Sequence, residues 1–187
     1  MVGHCAIRTW VMGERGVDDI PTSDEIAQMA ALAGKSVAEG AVGFSSSRLV
    51  AHKMPDGRSI PGTFAKTEEM VAIAKAVGDN NGLIQNVLEY SRLDTEMAQL
   101  REQALAAQTR VIFTAPHIPG ESGKANAYVD IIETMLAEGI DITGLALTGL
   151  YSTWPSNIKS AISFHSSPTL FRFSRIRDKS RPCSGSS

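Results

Sequence analysis

The chain has 187 residues, 43% of them hydrophobic, with 18 Lys and Arg against 20 Asp and Glu and only two cysteines. That is a globular composition, long enough for one well-buried core, with no apolar run of about 18 residues to cross a membrane. A net charge of −2 leaves no basic footprint for nucleic acid, and Cys5 and Cys183 fit neither a disulfide framework nor a thiolate metal knot.

In chain order, a strand is expected over residues 5–12. From about residue 20 to 147 one unit then repeats: a helix, a short polar or glycine turn, and a short apolar strand. The first helix opens at Pro21-Thr22-Ser23-Asp24-Glu25, where Thr22 and Glu25 have capping-box spacing and can each satisfy an open backbone N–H. Ile26, Met29, Ala30, Ala33 and Val37 follow at intervals of three and four residues, the spacing of one helix face. Gly40 ends that helix and a strand is expected over 41–45.

The second unit has Thr67 as its expected N-cap, with Glu68 and Glu69 in the first turn, where negative charge suits the positive end of a helix. Met70, Val71, Ala74 and Val77 supply its buried face, and Asn80-Asn81-Gly82 turns into a strand over 83–87. The third helix starts at Asp94, carries Met97, Leu100, Ala104 and Leu105, and leads to a strand over 111–114. The fourth places Tyr128, Ile131, Ile132, Met135 and Leu136 on one face, then passes Gly139 into a strand over 140–147.

Residues 159–187 contain six basic residues and one acid, leaving 12 basic and 19 acidic residues in the rest of the chain. This serine-rich end has no helical or alternating apolar order and is expected to be disordered.

Alternating helices and short, continuously apolar strands indicate parallel α/β structure. An open doubly wound sheet and a (β/α) barrel both fit. No Gly-rich phosphate loop follows any strand, which argues against a dinucleotide-binding sheet. Four or five visible strands are too few for a closed barrel of eight. The expectation is therefore a partial (β/α) TIM-type barrel of about four to five βα units over residues 1–150, with a basic tail over 151–187.

In such a barrel the C-terminal strand ends surround the site. His117, the run Ser45-Ser46-Ser47-Arg48 and the loop residue His52 occupy such positions. Arg48 could clamp a carboxylate through its planar fork or make a surface ion pair, and the serines could equally satisfy loop backbone. The chain has no H-x-H, H-E-x-x-H, Cys-x-x-Cys or G-x-S-x-G, so local spacing assembles neither a metal site nor an activated serine.

The block Val2-Gly3-His4-Cys5-Ala6-Ile7-Arg8-Thr9-Trp10-Val11-Met12-Gly13-Glu14-Arg15 resembles a stretch of the amidohydrolase family 3 proteins, which include the N-acyl-D-amino-acid deacylases. So do Glu39-Gly40-Ala41-Val42-Gly43-Phe44-Ser45-Ser46-Ser47-Arg48 and Asp56-Gly57-Arg58-Ser59-Ile60-Pro61-Gly62-Thr63. The likeness is good over residues 2–85, looser to about 147, and does not extend into the tail. It implies an internal piece of a metal-dependent barrel hydrolase that cleaves non-peptide C–N amide bonds in small N-acylated amino acids. Zinc would lower the pKa of a bound water and polarise the carbonyl.

The resemblance also implies that much of the catalytic set lies outside this chain. The family's early H-x-H would precede Met1 and its catalytic aspartate would follow the last strand. A histidine ends the family's strand corresponding to 83–87, where this chain has Gln85-Asn86-Val87. The next ligand falls near Ala115, Pro116 or His117, which makes His117 the metal candidate. Ser46, Arg48 and His52 are then the substrate-side candidates. The chain by itself is expected to be inactive, to bind no zinc, and to self-associate through exposed strand edges. With no charged-then-apolar leader, a reducing, cytoplasmic setting is expected. The rival reading is a non-catalytic α/β protein, either a small-molecule binder or an oligomerising scaffold.

Overall fold

The structure is a computed structural model and describes residues 1–115, 122–146, 162–164 and 171–173. Five strands form one sheet: β1 (Val2–Gly3), β2 (Gly43–Ser47), β3 (Leu83–Val87), β4 (Val111–Ala115) and β5 (Ile142–Ala146). They lie in the order β1-β2-β3-β4-β5 and every neighbouring pair is parallel. Between them run α1 (His4–Met12), α2 (Ser23–Ala38), α3 (Thr67–Gly78), α4 (Leu93–Ala107) and α5 (Ser122–Ala137). Two short strands, β6 (Ile162–Phe164) and β7 (Phe171–Phe173), pair antiparallel; the rest of 151–187, and with it most of the expected disordered tail, lies outside the described residues.

Chain-sequential strand order is the decisive topological fact. A parallel pair needs a long crossover, and crossovers are right-handed, so repeated steps in one direction place all helices on one face. The burial pattern agrees. Phe44, Ile84, Val111 and Ile142 share one register row, are fully buried, and join residues of all five helices in a single core. Each such side chain contributes about 1.5–3 kcal/mol of apolar burial. Neighbouring helices pack α1 on α2, α2 on α3 and α3 on α4. The doubly wound alternative needs helices on both faces and is set aside; the sheet is singly wound, as in an arc of a barrel.

Most expected elements form close to their expected positions. Thr22 and Glu25 make both hydrogen bonds of the capping box. Gly40, at φ 110°, reverses the chain after α2, and β2 starts two residues later than expected. Gly43 lies so close to the Leu83 backbone that a side chain there would collide with it. Thr67 is the first residue of α3, not its cap; Lys66 takes the cap position and makes no side-chain capping bond.

The expected strand over 5–12 is overturned. The strand is confined to Val2–Gly3, and His4–Met12 is helical. A strand would bury alternate residues, whereas here His4, Ile7, Arg8 and Met12 are buried and Cys5, Ala6, Thr9 and Trp10 are exposed, a helical interval. The apolar run is too short for composition alone to separate the two forms.

Thr22→Ala removes one half of the capping box. It should lower stability by about 1 kcal/mol, read as a lower urea midpoint with an unchanged dependence on urea concentration.

Candidate functional site

Strand residues alternate between two faces, and this divides the candidate residues. On the helix side, Ser46 pairs in register with Asn86, and Asn86 with Phe113; all three are buried. On the opposite side stand the rows Ser45, Gln85, Ile112, Thr143 and Ser47, Val87, Thr114, Leu145. Apart from buried Thr143 these residues are partly accessible, so this face has less cover than the helix face. Its polar members are hydroxyls and one amide.

Ser46 therefore does not join the other candidates. Its hydroxyl lies 3.2 Å from His4 Nδ1, and His4 Nε2 lies 2.7 Å from Glu69 Oε1. Ionised Glu69 can only accept, so Nε2 carries the proton, and Nδ1 can accept from Ser46. Arg8 donates to the other oxygen of Glu69 and also binds the carbonyls of Gly16 at 2.6 Å and Asp19 at 2.5 Å. Glu69 is 1% exposed. Burial alone would raise its pKa, but the hydrogen bonds from His4 and Arg8 and the charge of Arg8 hold it below the ordinary value of 4.5. The His4 ring packs on Phe44 and leaves no room for a side chain on Gly62, whose φ is 93°. This cluster ties α1, β2 and α3 together and is structural.

Arg48, just past β2, is also buried. Its Nε donates to Glu96 Oε2 at 2.6 Å and its second nitrogen, Nη1, to the Ala65 carbonyl at 2.7 Å. The expectation of a surface ion pair thus gives way to a buried one. His52 is exposed, and its Nδ1 lies 2.7 Å from Ser47 Oγ. Glu89, beyond β3, accepts from the Val50 and Ser91 N–H groups at 2.9 and 3.1 Å; these bonds, the Val50 N–H first, keep its carboxyl below the usual range. They hold the loop after β2 against the end of β3. Ser47 and His52 thus share the strand-end site, Arg48 borders it from within the helix layer, Ser46 lies behind the sheet, and His117 falls outside the described residues.

Sequence reasoning missed the burial of Glu69, Glu96, Gln99 and Gln103. The signal was available: Glu69 stands four residues before Ile73, and Glu96 four before Leu100, so each carboxylate shares its helix's apolar stripe.

Among the described residues no three His, Cys, Asp or Glu side chains group to hold a metal ion. The open face offers Ser45, Ser47, Gln85, Thr114 and Thr143, whereas zinc selects imidazole, thiolate and carboxylate. These residues do not fit a zinc centre. Gln85 in particular faces the site where the resemblance implies a histidine near the strand end.

Neither a protein-family model nor a curated protein sequence matches the chain. Solved structures do. A study of the binuclear metal centre of D-aminoacylase, and one in which that enzyme defines a novel subset of amidohydrolases, match with TM-scores of 0.63 and 0.61 at 23% identity. A D-aminoacylase mutant in complex with copper chloride matches at 0.63. The fold is that of a D-aminoacylase segment. Each match covers 78% of this chain but 29% of the D-aminoacylase chain, and at this identity the likeness is one of fold. No helix among the described residues is long and apolar enough to cross a membrane.

Glu69→Gln keeps the shape of the buried cluster but strands the Arg8 charge, and should cost about 3 kcal/mol near neutral pH. Because the folded-state pKa is depressed, ionised Glu69 stabilises the fold fully above about pH 4.5, and this contribution fades as pH falls through the depressed value. Urea unfolding at several pH values should show the gap between wild type and variant narrowing in acid.

Proposed function

We propose that this chain is an internal part of a metal-dependent amidohydrolase of the D-aminoacylase type, forming one arc of its (β/α) barrel. The observation that carries this reading is the five-strand parallel sheet in chain order, matched over 78% of the chain to D-aminoacylase. Residues 1–150 supply the arc and 151–187 an appended basic segment. The substrate class is a small N-acylated amino acid, cleaved at its non-peptide C–N bond, in a reducing cytoplasmic setting; neither nucleic acid nor membrane is a partner. His52 and Ser47 are the substrate-side residues. Zinc belongs to the whole enzyme, with His117 the candidate ligand from this segment.

The donor set of the open face supports a scaffold role for the chain in isolation. Its described residues present hydroxyls and an amide to a substrate. The purified chain should neither retain zinc after dialysis nor hydrolyse N-acyl-D-amino acids, as measured by metal analysis and amine release. One tightly held zinc with turnover would contradict this.

The same geometry favours self-association. The partly accessible sheet face and the β1 end of the sheet retain apolar surface and backbone groups that a closed barrel would cover, while β7 lies against β5 at the other end. Light scattering should show mass rising with concentration, whereas a monomer across the range would count against a cut barrel.

A further inference from the structure

Among the described residues, serine and histidine side chains meet in two places that differ in access. Ser46 Oγ and His4 Nδ1 lie 3.2 Å apart, and both residues are nearly inaccessible. Ser47 Oγ and His52 Nδ1 lie 2.7 Å apart at the end of β2, where Ser47 is partly accessible and His52 exposed. We infer that Ser47 and His52 form a nucleophile–base pair that takes an acyl group from activated carboxylic esters.

Their separation falls within the roughly 2.6–3.2 Å at which an imidazole can remove a hydroxyl proton. In the tautomer with the ring proton on Nε2, Nδ1 accepts from Ser47 Oγ. The pair is held from both sides. Arg48, next to Ser47, is fixed by Glu96 and the Ala65 carbonyl. The His52 N–H donates to the Leu49 carbonyl at 3.0 Å, and the Val50 N–H donates to Glu89 Oε2 at 2.9 Å. The turn between serine and histidine thus has bonds of its own, and the side-chain contact is not needed to close it. Gln85 stands opposite Ser45 on the adjacent strand, on the face that Ser45 and Ser47 share. Its amide N–H is a neutral donor for an oxyanion forming at Ser47.

In the first half of the reaction Ser47 Oγ bonds to the ester carbonyl carbon while His52 Nδ1 takes the hydroxyl proton. The bond from that carbon to the leaving oxygen then breaks, and the oxygen departs with the electron pair. In the second half water adds to the acyl carbon and gives a proton to His52. Ser47 regains its own proton as the carboxylic acid leaves. His4 has Glu69 on its second nitrogen, whereas His52 has no carboxylate partner among the described residues. Without that third group the base is neither oriented nor stabilised as in a full triad. The pair therefore serves esters with good leaving groups and leaves the amide of an N-acylated amino acid uncut. It stands apart from the D-aminoacylase reading, and either can fail alone.

The test treats the full chain with p-nitrophenyl acetate at a concentration where light scattering shows a monomer. Nitrophenolate release is followed by absorbance, and the acetylated residue is located by peptide mass spectrometry after an early acid quench. Acetyl should appear on Ser47. Ser47→Ala and His52→Gln should both keep the wild-type circular dichroism. The first should remove that adduct and slow release at least about tenfold, and the second should slow acetylation of Ser47 at least about tenfold, as loss of a positioned base requires. An exposed histidine can cleave this ester unaided, and the serine variant separates that route from the pair. The inference is overturned if acetyl sits on other residues and not on Ser47, if Ser47→Ala releases nitrophenolate at the wild-type rate, or if His52→Gln acetylates Ser47 as fast as wild type.

Discussion

The constraint on which the structure depends is that every crossover between neighbouring strands lies on the same side of the sheet. Strand side chains alternate, so one-sided coverage forces two different surfaces from the same five segments. Toward the helices the strands place Phe44, Ile84, Val111, Phe113 and Ile142, all buried. Away from them they place Ser45, Ser47, Gln85 and Thr114, partly accessible. The first surface supplies the stabilising burial, and the second is available for chemistry. A one-residue shift of register would exchange the two.

Within the helix layer, two buried carboxylates fix the parts that the apolar core does not. Glu69 accepts from both Arg8 and His4, which ties α1 to α3 and, through Ser46, to β2. Glu96 holds Arg48 at the end of β2, joining that strand end to α4. Both charges are nearly inaccessible, so loss of a partner is far more harmful than the net worth of the pair would suggest. The loop after β2, with His52, is held against the neighbouring strand end by the Val50 N–H, which donates to Glu89. The catalytic-looking arrangement of Ser46, His4 and Glu69 belongs to this fastening and not to the accessible face.

Much of this was legible in the sequence because local rules and tertiary demands coincide there. The Thr22–Glu25 box, the stripe from Met29 to Val37 and the strand Leu83–Val87 each satisfy a local rule and a packing requirement together. Where the fold demanded something local rules do not encode, the reading failed. Residues 5–12 look apolar enough for a strand, yet they are helical because His4 and Arg8 must meet a carboxylate 61 to 65 residues away. Ser46 and Ser47 look equivalent in the sequence, but adjacent strand residues face opposite ways. Glu96, Gln99 and Gln103 have surface composition and are buried because their partners come from other segments, such as Arg48, Ala65 and Asn86.

The central claim is that helices cover one face of the sheet while the other stays open to ligand. Thiol labelling tests it most directly, in a background with Cys5 and Cys183 replaced by serine. Single cysteines at Gln85 and Thr114 should react with a small thiol reagent in the native protein, while cysteines at Ile84 and Phe113 should react only on unfolding. Equal protection at all four positions, at a concentration where light scattering shows a monomer, would mean that both faces are covered, and the account of a one-sided arc would be wrong.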